Sequence, residues 1–400
     1  MLHDAFAMAR ALALVGALSG IAYYCLGIWS ALRFSRRKSE HAKATLSQSP
    51  LNPIVSTQFL PPVSVLKPLK GTDREMYDSF RSHCRQNYPE FEIIFGVSDA
   101  NDPACELVER LQQEFPKVEI RLLVCSRILG TNVKVSNLAQ ISKVARYDHL
   151  VVNDSDIRVE PDYLQRVISP LADPAIGLVT SLYRGVPAAT LGSRLESLGI
   201  ATDFSAGVLV AQEIEGGVRF GLGSTLAVRK KDLQQIGGFE ALLDYLADDY
   251  ELGARIAASG LGVRLADTVV DTFLPAYSIR DFLDHQLRWA RSVRDSRPWG
   301  YLGLVLTFGL PWALMALLLS RGRVWGWTLL AVAVIARLVM AIVVGRKVLG
   351  DRRVFGSLWL IPLRDLLAVV VWVASYAGHK IHWRGDDFQL KDGKLARIES

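Results

Sequence analysis

Residues 11–32 carry no charged side chain, and that excludes a freely soluble fold for this end of the chain. As a helix rising 1.5 Å per residue, such a stretch is about 33 Å long, close to the roughly 30 Å hydrocarbon core of a bilayer. Arg10 precedes it and no small-residue cleavage site follows, so it reads as a retained anchor rather than a signal peptide. Further apolar stretches follow at 301–320, 324–345 and 354–378. The last two contain Arg337 and the pair Arg364-Asp365, and charges at that depth face a bundle interior or a wet cavity. Arg364 can pair locally with Asp365; contact with the polar head of a lipid is the other reading.

Charge sets the expected orientation. Arg33, Arg36, Arg37, Lys38 and Lys43 follow the first span, and only Arg10 precedes it. The positive-inside rule then places the residue-33 end, and the polar region after it, in the cytoplasm. Strict alternation of the remaining spans puts Arg346, Lys347, Arg352 and Arg353 inside as well, and the tail from His379 outside. The net charge is +6, but the excess is juxtamembrane, where anionic lipid is the natural partner. No zinc-finger or RNA-binding signature accompanies it, so no nucleic acid is expected. The four cysteines lack Cys-x-x-Cys spacing and read as free thiols with no metal role.

Between the spans the pattern changes. A polar linker covers 36–60. Short apolar runs at 63–66, 91–97, 118–124, 149–153 and 176–182 then alternate with helical stretches at 75–86, 107–115, 134–144 and 162–168. That rhythm predicts an α/β domain on a mostly parallel sheet, over 61–280. Residues 191–212 are apolar, but Arg194, Glu196 and Asp203 interrupt them, which predicts a buried or interfacial helix. Gly221-Leu222-Gly223-Ser224 lacks the Gly-Lys-Ser/Thr of a phosphate loop and implies only close backbone approach. An amphipathic interfacial helix is expected at 281–298, membrane helices at 299–378 and a polar tail at 379–400.

An ordered set of acidic residues carries the chemistry. Asp99 and Asp154-Ser155-Asp156 each follow an apolar run, at the strand ends where open α/β sheets bind ligands. Carboxylates two residues apart let one reach a ribose hydroxyl while the other holds Mg²⁺ or Mn²⁺ against a diphosphate. Magnesium needs only one or two protein carboxylates when phosphates and water complete its shell. A simple Asp-rich turn explains the same residues. Asp248-Asp249 opens a helix, as an ordinary cap does; adjacent carboxylates also repel, which suits one of them to accept a proton near neutral pH. Arg288-Trp289 lies on a basic amphipathic helix that suits lipid headgroups, or a departing diphosphate.

Taken in order, Val63 to Leu66, Val97-Ser98-Asp99, Asp154-Ser155-Asp156, Ala247-Asp248-Asp249-Tyr250 and Arg288-Trp289 resemble the family-2-type glycosyltransferases. Within them the chain looks most like the ceramide glucosyltransferase branch, including bacterial relatives that glycosylate hopanoids. The resemblance covers about residues 60 to 300. It implies a GT-A fold (a Rossmann-like nucleotide-sugar transferase) with one N-terminal anchor at 1–35 and about three C-terminal membrane helices. It implies inverting transfer of a hexose from UDP-glucose or UDP-N-acetylglucosamine to a hydroxyl of a membrane lipid. Asp99 would bind uridine, Asp154 and Asp156 the sugar diphosphate and metal, and Lys134 and Asn137 would lie near the donor. Asp249 would be the base, with Arg288 and Trp289 also catalytic. The expected partners are the UDP-sugar, the lipid acceptor and the bilayer, with no obligate protein partner. The setting is a bacterial inner membrane or its equivalent, with the catalytic domain in the cytoplasm. The chain departs from the family at His285, where Gln or Arg is usual, and Gln286 comes one step late. A processive polysaccharide synthase or a non-catalytic membrane scaffold are the alternative readings.

Overall fold

A computed structural model describes residues 2–47, 59–383 and 386–398. In chain order the elements are α1 (Leu2–Ser47), β1 (Val63–Pro68), α2 (Met76–Cys84), β2 (Phe91–Val97), α3 (Ala104–Glu114), β3 (Glu119–Val124), α4 (Val133–Val144), β4 (His149–Val152), β5 (Ile157–Arg158) and α5 (Tyr163–Ile168). There follow β6 (Ile176–Val186), α6 (Leu191–Gly199), α7 (Ser205–Ile214), β7 (Leu226–Arg229), α8 (Lys230–Gln235), α9 (Asp248–Ala258), β8 (Gly262–Phe273) and α10 (Ile279–Ser296). The chain ends with α11 (Pro298–Gly303), α12 (Gly309–Leu319), α13 (Val324–Ile342), α14 (Ile361–Ser375), β9 (Lys380–Trp383), β10 (Asp386–Lys391) and β11 (Lys394–Arg397). The expected α/β alternation is present. The first helix runs to Ser47, well into the stretch read as linker, and residues 48–58 of that stretch lie outside the described residues.

Two compact units are woven from separate segments. An α/β unit takes Ser49–Ala188, Ile214–Pro275 and Ile381–Ser400; a helical unit takes Met1–Gln48, Ala189–Glu213 and Ala276–Lys380. This differs from the continuous 61–280 block expected from sequence, which loses the apolar α6–α7 segment and gains the tail.

In the α/β unit the strand order is β3-β2-β1-β4-β7-β6-β8-β5. The half made of β3, β2, β1 and β4 is parallel, whereas β7 runs antiparallel to both its neighbours. Every residue of β1, and every residue of β2 after Phe91, is buried, which is why these strands read as unbroken apolar runs. Among the polar residues buried in these strands, Glu92 is satisfied by the Ser64 hydroxyl (2.6 Å), Arg121 (2.5 Å) and the Arg146 amide (2.7 Å).

The polar tail forms a second sheet, β11-β10-β9. Phe388, Leu390 and Leu395 alternate with exposed residues and join Ile381 in a small core against Leu246. Asp392 and Gly393, both at positive φ, make the two-residue turn that Asp-Gly favours. Backbone bonds from Leu395 to Asp244 (2.7 Å) and from Leu246 to Gly393 (3.0 Å) tie this hairpin to the chain just before α9.

Among the described residues of the helical unit, three helices are long and apolar enough to cross a membrane: His3–Glu40, Val324–Val348 and Arg353–Ser375. Pro298–Thr307 and Gly309–Leu319 make a fourth if counted as one span bent by 50°. Small residues set the close contacts: Ala17, Ala313 and Ala333 share a core, and Gly20 of α1 packs on Gly309 of α12. Residues 191–214 form one helical run through α6, a π-turn and α7, buried as expected. Asp365 pairs with Arg337 (2.8 Å), not with its neighbour Arg364, which turns to Gln286 (2.8 Å) and Asp203 (3.5 Å). Adjacent residues on a helix point about 100° apart, so the local pairing expected from sequence gives way to one between helices.

Candidate active site

Parallel pairing aligns the carboxyl ends of β2, β1 and β4 at one sheet edge. Asp99 leaves β2 there, Asp154 leaves β4, and Lys67 occupies the end of β1 between them. Lys134 comes from the first turn of α4, whose N-terminus is capped by the Asn132 side chain accepting from the Val135 amide (3.3 Å). Asn132 also donates to the Tyr245 carbonyl (2.7 Å), which holds the start of α4 beside the segment leading into α9.

Lys134 is the hub. Its Nζ lies 2.9 Å from Asp154 Oδ1 and 3.3 Å from Asp248 Oδ2. Burial alone would lower its pKa, but Asp154, Asp248 and Asp249 together hold it above the ordinary lysine value. One ammonium among three carboxylates leaves negative charge uncompensated. Burial, then the charge of Asp248, pushes Asp249 up to about 6. Burial, then the charge of Asp154, likewise pushes Asp156 up to about 6.

Glycines shape the pocket wall. Asp249 Oδ2 accepts from the Gly223 amide (2.6 Å), and its Oδ1 from the Tyr250 amide (2.8 Å). A Cβ on Gly223 would stand 3.1 Å from Asp249 Oδ2 and 3.3 Å from Asp154 Oδ2, so these carboxylates converge on a point only glycine leaves open. Gly253 of α9 meets the Gly221 amide so closely that a methyl there would collide with it, and the Gly221 amide bonds to the Asp249 carbonyl (3.2 Å). The close backbone approach expected of this glycine cluster is the observed arrangement.

Asp154 and Asp156 fit a hard divalent cation. Both supply oxygen donors; Asp154 is half-buried, and Asp156 accepts from Thr272. Among the described residues no group of three or more His, Cys, Asp or Glu could hold a metal ion by itself; magnesium held by one or two carboxylates takes the rest of its shell from phosphate and water.

Two expected donor residues behave differently. Asp99 is exposed and accepts from the amide (2.9 Å) and side chain (3.3 Å) of Asn101, forming a turn at the strand end. Asn137 is buried and its amide is taken by β2: it accepts from Ser98 (3.0 Å) and donates to Gly96 (3.4 Å). Its contribution is to hold the strand end that carries Asp99.

Arg288 and Trp289 belong to the helical unit, on α10, which begins with a capping box between Ser278 and Asp281. Trp289 lies beside His285 (5.2 Å between rings) and Phe204 (6.0 Å), and His285 stacks on Tyr277 (5.3 Å). His285 Nδ1 is 3.4 Å from buried Glu196, which accepts a hydrogen bond from Gln286 (2.7 Å). Gln286 is thus committed to Glu196 and Arg364, and His285 occupies the aromatic side.

Several supporting residues are not apparent from the sequence. Lys67 is fully buried, donates to the Asp154 carbonyl (3.0 Å), and burial lowers its pKa to about 7. Asn153 donates to Tyr163 (2.8 Å) and the Ser224 carbonyl (2.7 Å), tying the Asp154 turn to the glycine loop. Asp73 accepts from Ser155. A lysine inside an apolar strand is the available signal for Lys67; Asn153 has none beyond its place before Asp154.

Comparison with known proteins supplies the context. A family profile described as glycosyl transferase family 21 matches residues 12–396. A ceramide glucosyltransferase of Caenorhabditis elegans is 26% identical over 233 residues, 58% of this chain and 50% of that protein. The ceramide glucosyltransferase of Komagataella phaffii is 36% identical over 113 residues, 27% of this chain and 22% of its own length. The chain thus spans about half the length of the first of these relatives, and less of the second. Among solved structures, a mannosyltransferase from Pyrobaculum calidifontis in complex with GDP-Man and Mn²⁺ superposes with a TM-score of 0.52 at 18% identity, over 92% of this chain and 98% of that one, a likeness of fold.

Proposed function

The chain belongs to glycosyl transferase family 21, and from that premise we propose that it is an inverting transferase acting on a membrane lipid. It moves a hexose from UDP-glucose or UDP-N-acetylglucosamine to a lipid hydroxyl, with ceramide or a hopanoid polyol as acceptor. The observation that carries the reading is the convergence of Asp249 and Asp154 on Gly223, with Asp249 raised to about 6. A carboxylate with that pKa is ionised at neutral pH yet basic enough to accept a proton in the transition state.

Asp249, oriented by the Gly223 and Tyr250 amides, removes the proton from the acceptor hydroxyl as its oxygen attacks the anomeric carbon. The bond from that carbon to the diphosphate breaks on the opposite face, so an α-linked donor yields a β-linked product. Asp154 and Asp156 would hold Mg²⁺ or Mn²⁺, which supplies Lewis-acid stabilisation of the leaving diphosphate. Lys134 keeps Asp154 and Asp248 in place, Asp99 receives the uridine, and Asn137 fixes the strand end behind it. Arg288 and Trp289 take the roles implied by the motif: charge on the departing diphosphate and packing near the acceptor.

The test is incubation of detergent-purified protein with Mg²⁺, radiolabelled UDP-glucose or UDP-N-acetylglucosamine, and separately ceramide or bacteriohopanetetrol. Label entering one lipid is the expected result. Donor-dependent growth of a polymer without lipid labelling assigns the chain to processive synthesis instead, and no transfer from either donor removes the reading.

A further inference from the structure

Both ends of the 276–380 segment join the α/β unit, at Pro275 and at Ile381. A water-soluble unit occupies one face of a bilayer, so this segment must cross an even number of times. Only residues 376–379 separate α14 from β9, at most about 14 Å of extended chain, too short to recross a core of about 30 Å. Three candidate spans in this segment cannot all be crossings.

Contacts within the helical unit show which one is not. Along α1, the bent pair descends: Gly309 packs at Gly20 and Tyr24, Trp312 at Gly16, and Arg321 lies over Phe6. Helix α13 then climbs back, with Ala333 beside Ala17, Arg337 over Tyr24 and Met340 at Gly27. Helix α14 does neither. Asp365 binds Arg337 at the level of Tyr24, and Trp372, seven residues on, meets Phe308 at the level of Gly20. Its approach begins at Val354 against Gly345, beyond the upper end of α13. It ends with Ser375 bonded to Tyr301 (2.9 Å) and Arg294, at the start of the bent pair. Throughout it keeps beside α10, from Arg364 at Phe282 and Gln286 to Ser375 at Arg294. The face it turns away from these partners is an exposed apolar stripe: Trp359, Leu363, Leu366, Val370 and Val373, spaced three and four apart.

We propose that α14 does not span the membrane but lies in the interface alongside α10, with its Trp359–Val373 stripe inserted into the acyl boundary of the lipid, and returns the tail to the catalytic face. The crossings are then α1, the bent pair and α13. Arg346, Lys347, Arg352 and Arg353 fall on the same face as Arg33, Arg36 and Arg37, leaving only Arg10, Arg321 and Arg323 opposite, so the positive-inside rule is satisfied as well. The inference goes beyond the proposed reaction and does not depend on it.

The test uses full-length protein in sealed membrane vesicles, with one epitope tag at a time after Gly260, Gly322 or Gly350 or beyond Ser400. An impermeant protease should reach the Gly260, Gly350 and C-terminal tags from one face and the Gly322 tag only from the other. A C-terminal tag protected where the Gly260 tag is cleaved overturns the proposal, as does a Gly322 tag on the Gly260 face. Spin labels at Leu363 and Val373 give a second readout. They should report equal bilayer depth, whereas a spanning helix separates them by about 15 Å.

Discussion

Each unit of this protein buries a cluster of charges, and the two clusters are balanced differently. In the helical unit, Arg337 and Arg364 face Asp203 and Asp365, two cations for two anions, with bonds closing from both sides. In the α/β unit, Asp154, Asp156, Asp248 and Asp249 share Lys134 and Lys67. A neutral cluster holds helices together where water is absent. A cluster left negative raises the pKa of its own carboxylates and is completed only when cation or proton arrives, which is what a site for a metal-bound diphosphate and an acceptor proton requires.

That contrast can be broken experimentally, first at its most sensitive point. Asp249→Asn should lower kcat by about 10²- to 10⁴-fold while donor affinity, measured by equilibrium binding, stays near the parent value. Near-normal turnover would take Asp249 out of the base role. Arg337→Met should act on stability: it strands the buried carboxylate of Asp365 and leaves the half-buried Asp203 with Arg364 alone, at a cost of about 3–5 kcal/mol, seen as a lower thermal midpoint in detergent. The fraction that still folds should keep its kcat; a selective fall in kcat would mean that the balanced cluster is also catalytic.

Gly253→Ala should destabilise by about 1–3 kcal/mol, because the methyl meets backbone at Gly221 and Phe220, and kcat should fall with it as the Asp249 carbonyl loses its strap. The mildest effect is on pH. Asp249 is raised to about 6 and works deprotonated, so kcat/KM should be flat above that value and fall about tenfold per unit below it. An acid limb that stays near 4 would show that neither burial nor the charge of Asp248 raises Asp249.

The site is legible in the sequence where one residue type at one local position carries the chemistry. Asp99 and Asp154 stand out by following buried strands, and the glycines at 221 and 223 by their clustering. Lys67 and Asn153 are not legible, because their importance lies in what the fold places above them. Asn137 falls in the donor motif, yet its amide is spent on β2, a choice made by packing. The tail carries strand signals in its alternation and its Asp392-Gly393 turn. Those signals are weak because the strands are short and polar, and their few apolar residues form a core only with Leu246, far away in the chain.

By itself, the sequence determined the apolar spans, the strand–helix alternation and the order of carboxylates, since each depends on neighbours within a few residues. Tertiary structure alone decided that Asp365 chooses Arg337 over Arg364, that residues 189–213 leave the α/β unit, and that the tail joins it. Those outcomes depend on which surfaces meet at long range. Burial rewards whichever partner brings its charge or apolar face into register, and sequence separation has no part in it.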